Sequence, residues 1–305
     1  MTPRREGAPW RLIVGTIAFA AWASPSLVGL PLAALSLLAQ PRAARGWGVA
    51  LAAGVPSLAA TLLPASDALT EFVRAYTLLV TAALVILVFL HRPVERFPPL
   101  AIRAGLGAGL AAVVLARVVL GPAAWDMLHW EATRAASATM RALVETQPHL
   151  FGAFEPVVRF ESDTVPAALA LQTLAGLSLA WQWHQRLATA SLGPALGAFR
   201  EFRFGDHWVW VVVASLAVWV TPVLAGLKVT ALNLLVMLGA LYLLRGAAIV
   251  LAFSGTFGIT PAALAIGAAV ATLLLAPLVL VVPALTTLGV TDTWLEFRRR
   301  LKAPA

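Results

Sequence analysis

The feature that most constrains this chain is a succession of apolar runs, most of them about 18 to 29 residues long and able to cross roughly 30 Å of hydrocarbon. They fall at about 12–24, 27–40, 47–64, 72–90, 100–120, 165–184, 208–226, 229–253 and 260–288. A backbone in lipid has to satisfy its own polar groups, which leaves helices and closed barrels, and runs of this length select helices. The expected fold is all-α, a polytopic transmembrane bundle of about eight or nine spans. Composition points the same way: 60% of residues are hydrophobic and 12% charged, against about 45–50% and 25% in soluble chains. A soluble enzyme, a disordered chain and a fibrous one are excluded. With no cysteine, thiol nucleophiles, disulfides and iron–sulfur clusters are excluded too.

The formal charge of +8 would suggest nucleic acid in a soluble domain. Here the bases flank apolar runs in short clusters (Arg42 with Arg45; Arg92, Arg96 and Arg103; Arg298 to Arg300), as expected of residues that orient spans toward the cytoplasm. The expected partner is the bilayer, with no nucleic acid. Arg4, Arg5 and Arg11 precede the first run, and Ala21-Trp22-Ala23 resembles a cleavage site. The apolar pattern resumes at Ser26, however, so a retained first span is expected.

Pro25 separates the first two runs, reading either as a hairpin of short helices or as one broken helix. The hairpin is favoured because it makes five consecutive loops obey the positive-inside rule. The N-terminus and the loops carrying Arg42, Arg92 and Arg200 then face the cytoplasm, while those carrying Asp67 and Glu145 face outward. This implies a multi-pass membrane protein with its N-terminus in the cytoplasm. Strict alternation places the basic tail outside, against the rule. The last run, with Pro277 and Pro283, could hold two short passes or a re-entrant turn. Three regions follow: N-terminal membrane helices over 1–120, an outer loop over 121–163, and C-terminal membrane helices with the tail over 164–305. In the outer loop, Trp125, Leu128, Ala132, Ala136, Met140 and Leu143 share one helical face, opposite Asp126, Glu131, Arg134, Arg141 and Glu145. That predicts an amphipathic helix over 122–146.

Motifs for enzymatic chemistry are missing. The five histidines form no His-Glu-x-x-His, and there is no nucleophile elbow or Walker loop. No enzyme activity, metal or cofactor is expected. Trp181, Trp183 and His184 read as interfacial anchors, and Arg74 and Arg117 as snorkelling bases. Gly105 with Gly109, and Gly48 with Gly54, suggest close helix packing. Two polar residues inside an apolar run stand out as candidate ligand-binding positions: Asn233 and, deeper, Arg245. A guanidinium at depth costs on the order of 3 kcal/mol unless it is paired, hydrated or snorkelling. Few acids lie inside the spans, so a water-filled cavity or a bound anion is expected at Arg245 rather than an internal ion pair. The competing reading ends the span at Leu244, with Gly246 just beyond.

The order of Pro41-Arg42-Ala43-Ala44-Arg45-Gly46, Phe199-Arg200-Glu201-Phe202, Asn233-Leu234, Arg245-Gly246 and Gly289-Val290-Thr291-Asp292 resembles the YybS-like family of uncharacterised bacterial membrane proteins. The N-terminal half is also similar, more weakly, to the substrate-binding membrane subunits of energy-coupling-factor vitamin transporters. That resemblance implies solute binding within the membrane. Two functions are therefore expected to compete: a small-solute binding or transport subunit with a separate energising partner, and a structural or assembly scaffold with no ligand.

Overall fold

The computed structural model describes residues 10–146, 151–256, 258–260, 263, 267 and 276–297. The described chain is helical, and its one β-type contact is an isolated bridge between Pro41 and Ala188. It divides into two compact units, residues 1–196 and 197–305.

The first unit holds α1 (Trp10–Ala20), α2 (Ser26–Leu38), α3 (Ala44–Leu62), α4 (Ala68–Leu90), α5 (Phe97–Val119), α6 (Ala124–Thr146), α7 (Phe151–Asp163) and α8 (Val165–Leu187). The first two runs are indeed separate helices. At 11 and 13 residues they are about 17 and 20 Å long, each too short to cross the hydrocarbon alone. Although short, α2 is central: Leu27, Leu32 and Leu35 are buried, and it packs on α3, α4 and α8. Small residues make the approach to α3 possible. A Cβ on Gly29 would lie 2.4 Å from the Ala53 carbonyl, and one on Gly54 would lie 2.5 Å from the Ala33 methyl.

Two helices of this unit, α4 and α5, are individually long and apolar enough to span a membrane. A third candidate is the bent pair Phe154–Asp163 and Val165–Leu187, which turns by 59°. With the long helix of the second unit, the described residues hold three spans, or four if the bent pair counts as one. The buried face of α5 is an alanine stripe of Ala101, Ala104, Ala108, Ala112 and Ala116. The expected glycine pair does not do this work, since nothing lies within 4 Å of a Cβ built on Gly109. Sequence grouped α8 with the C-terminal helices, but it belongs to this first unit, packed on α1, α2 and α5.

One end of the unit is knitted by loop hydrogen bonds. Arg42 N–H donates to the Leu187 carbonyl at 2.8 Å, Thr189 N–H to Gln40 at 2.9 Å and Val94 N–H to Leu192 at 2.9 Å. Arg42 Nε donates to Ala188 (2.7 Å), and Arg92 Nη2 to Leu38 (2.7 Å). Three base-bearing loops expected on one face are thus brought together. Trp181, Trp183 and His184 are not interfacial anchors: Trp181 and His184 are buried at this end, and Trp183 donates to Thr16 Oγ1. Trp181 stacks on Phe97 at 4.5 Å and donates to the Pro194 carbonyl. The indole needs both a large apolar partner and an acceptor, and the loop supplies the acceptor.

At the other end α6 folds back over α4 and α5, burying Ala124 and Leu128 with Ala116 and Phe72 against them. The amphipathic prediction holds for Leu128, Ala132 and Ala136, which are buried, whereas Trp125 is 55% exposed. The side chain of Leu143 lies outside the described residues. Glu131 pairs with Arg134 at 3.7 Å, and His129 approaches Asp163 at 3.9 Å. Arg74 and Arg117 turn to the carbonyls of Leu63 and Pro122 at helix ends, as snorkelling bases should.

The second unit contains a 3-10 turn (Phe199–Glu201), α9 (Trp208–Val220), a second 3-10 segment (Pro222–Leu227), α10 (Lys228–Thr256) and α11 (Ala276–Leu295). The closest packing is between α10 and α11. The helix does not end at Leu244; α10 runs on to Thr256. Gly246 is there for contact: a Cβ on it would lie 1.9 Å from the Leu285 carbonyl, and one on Gly289 would lie 2.0 Å from the Tyr242 carbonyl. The two backbones touch through paired glycines. Much of the run 260–288, with its proposed second pass or re-entrant turn, lies outside the described residues.

Candidate functional site

Arg245 projects from the middle of α10 and is fully buried. Its Nε donates to Asp292 Oδ2 at 3.0 Å, and its Nη1 to Asp206 Oδ1 at 2.7 Å. The expectation of a cavity or anion in place of an internal ion pair is therefore corrected. The acids escaped notice because they lie at helix ends rather than inside spans: Asp206 two residues before α9, and Asp292 in the last turn of α11.

Asp292 is also fully buried and has a second task. Its Oδ1 accepts from the Phe297 N–H at 3.0 Å, and its own carbonyl accepts from Glu296 N–H at 3.2 Å. Glu296 has φ of +43°, the left-handed geometry that commonly closes helices, there usually on glycine. A carboxylate at a helix C-terminus opposes the helix dipole, and the guanidinium of Arg245 offsets that repulsion. Asp206 differs: its side chain is 52% exposed, and it follows an irregular stretch, residues 202–205.

Aromatic rings close the site. Phe204 lies 5.8 Å from the Arg245 guanidinium, within cation–π range, and meets Tyr242 edge-on at 4.8 Å. Tyr242 and Arg245, three residues apart, share a face of α10. One buried donor of the guanidinium, Arg245 Nη2, has no hydrogen-bond partner, and the buried hydroxyls of Tyr242 and Thr293 find none beyond each other. The Tyr242 and Thr293 hydroxyls lie side by side and interact with each other. Native interiors leave few buried polar atoms unsatisfied.

Asn233 is not part of this cluster. It sits about 18 Å along the helix from Arg245 by helical rise, and its Nδ2 donates to the Val229 carbonyl in its own helix at 2.9 Å. Among the described residues, no three His, Asp or Glu side chains converge as metal ligands.

Two grooves accompany these features, both apolar. One, of about 400 Å³, lies in the first unit beside α6, between Phe72, Val113, Arg117, Trp125 and Leu128. The other, of about 470 Å³, lies in the second unit between Ile249, Val250, Phe253, Leu288 and Phe297. Ile249 is one helical turn beyond Arg245, and Leu288 one turn before Asp292.

Residues 150–293 match the family model described as Predicted membrane protein (DUF2232). The matched span contains Asp206, Tyr242, Arg245 and Asp292. No curated protein and no solved structure matches the chain. The similarity and the membrane-capable helices among the described residues together support a membrane protein.

Proposed function

We propose that the chain is a non-enzymatic, membrane-embedded subunit that binds, and with a separate energising partner transports, a small solute. The observation that carries this reading is the buried, unpartnered Nη2 of Arg245, on a helix otherwise apolar enough to span the membrane. Ionisable groups within membrane-spanning helices are expensive and commonly line substrate or ion pathways. The accompanying topology puts the knitted, base-rich end in the cytoplasm of a bacterial inner membrane, with the N-terminus on that side. The test is a thermal-stability screen of the purified full chain in lipid nanodiscs against small polar solutes. A solute that stabilises the wild type but not Tyr242→Phe/Thr293→Val supports binding at this site. Equal stabilisation of both places binding elsewhere and removes the reading.

The scaffold alternative rests on the groove beside α6. Its apolar lining and the exposed ring of Trp125 suit contact with a partner helix, as exposed apolar patches often do.

A further inference from the structure

We infer that Asp206 occupies the place of a ligand carboxylate, and that the solute is a monocarboxylate with an apolar body. This rests on the solute-binding reading above and names its substrate class. The two acids on Arg245 are held differently. Asp292 is buried, with each of its side-chain oxygens accepting a hydrogen bond. Asp206 is half-exposed and meets the guanidinium through one oxygen, on Nη1. The neighbouring Nη2 is buried and unspent. Together Nη1 and Nη2 form the end-on edge of the guanidinium, the fork that a carboxylate grips with both oxygens. Asp206 fills half of it. A ligand carboxylate that displaces Asp206 takes both nitrogens, and the Tyr242 hydroxyl, on the same face of α10 and paired only with Thr293, stands beside it.

Charge favours this exchange. One carboxylate replaces another, so the sum over Arg245, Asp292 and the incoming group is unchanged, no proton moves, and the released Asp206 goes to solvent. A cation meets a buried guanidinium, and a neutral solute gains nothing electrostatic by displacing an ion-paired acid. Among the described residues, the other charged groups of these elements are Arg200, Glu201, Arg203 and His207 before α9, Lys228 at the start of α10 and Glu296 after α11. Of these, Arg200 and Glu201 approach each other at 4.0 Å. The apolar body has its own place, because the groove of about 470 Å³ starts one turn from Arg245 at Ile249 and is lined by Val250, Phe253, Leu288 and Phe297.

The experiment is equilibrium binding of radiolabelled octanoate to the full chain in nanodiscs, with empty nanodiscs subtracted. Wild type should bind, and Asp206→Ala should bind about tenfold tighter, because the competing internal carboxylate is gone. Glu201→Gln, which removes a nearby acid not bonded to Arg245, should match wild type. Unlabelled acetate and octanol should each compete at least about tenfold more weakly than octanoate. Octanol competing as well as octanoate, or Asp206→Ala binding no tighter than wild type, overturns the inference. If Glu201→Gln tightens binding as much as Asp206→Ala, the effect is general electrostatics and the stand-in role is lost. A neutral solute that stabilises the protein through Tyr242 and Thr293, with octanoate binding neither protein, keeps the solute reading and ends this one.

Discussion

A buried guanidinium held by two carboxylates makes Arg245 more than a binding group. Its loss leaves Asp292 buried without a counter-charge, and breaking such a pair costs about 3–5 kcal/mol. Arg245→Gln should therefore lower the thermal midpoint in nanodiscs steeply, in contrast to the folded, binding-dead protein that a ligand-only role implies. Arg245→Gln combined with Asp292→Asn should recover most of the loss, since no buried charge is then unpaired. A double variant as unstable as the single one would show that the cost is lost packing. Glycine gives a second contrast. Gly289→Ala drives a methyl into the Tyr242 carbonyl, backbone that cannot swing aside, and should cost about 1–3 kcal/mol. Gly109→Ala meets nothing and should be neutral or raise stability by up to about 1 kcal/mol through helix propensity. The sequence marks Gly109 for packing and offers Gly289 only within a motif. Which one is a contact depends on the neighbouring helix, information that no single segment carries.

Among the helices, α4 carries the clearest local signal. Asp67 precedes its first turn and accepts from the Thr70 N–H at 2.7 Å, as an N-cap should. That bond, with the Ser66 hydroxyl after it, holds the Asp67 carboxyl below its ordinary 3.8. The contribution to stability is thus fully present above that value and fades as pH falls through the lower folded value. Asp67→Ala should cost about 1 kcal/mol at neutral pH, and nothing once the wild-type carboxylate is protonated. Amide exchange at Thr70 and Glu71, compared between the two proteins across acid pH, reads this out. Helix existence was largely legible here because 18-residue apolar stretches and caps are local. The amphipathic face of α6 was legible too: Leu128 on it is buried, and Trp125 on the same face lines the groove beside it. Legibility failed at Arg245, where counting acids inside spans overlooked Asp206 and Asp292 at helix ends, which lie far away in sequence and adjacent in space.

For the whole molecule, charge placement and hydrogen bonding agree on which loops of the first unit lie together. Single cysteines at Arg42, Arg92 and Thr189, in a chain with none of its own, should share one accessibility to an impermeant maleimide. Those at Asp67 and Asp126 should show the other. Labelling of positions 42 and 67 from the same side would break the proposed topology. The same knitted end bears on how the protein is made. Gln40 and Arg42 emerge early in synthesis, but their partners Thr189 and Leu187 come about 147 residues later. Until α8 has entered the membrane, that end has donors and acceptors with only water or lipid headgroups to meet. Closure is therefore a late, long-range event in biogenesis, and a nascent chain halted after α5 or α6 presents an unfinished surface. Such a surface is what membrane quality-control proteases are suited to recognise, so arrest before residue 189 should shorten the lifetime of the product far more than arrest just after Leu196.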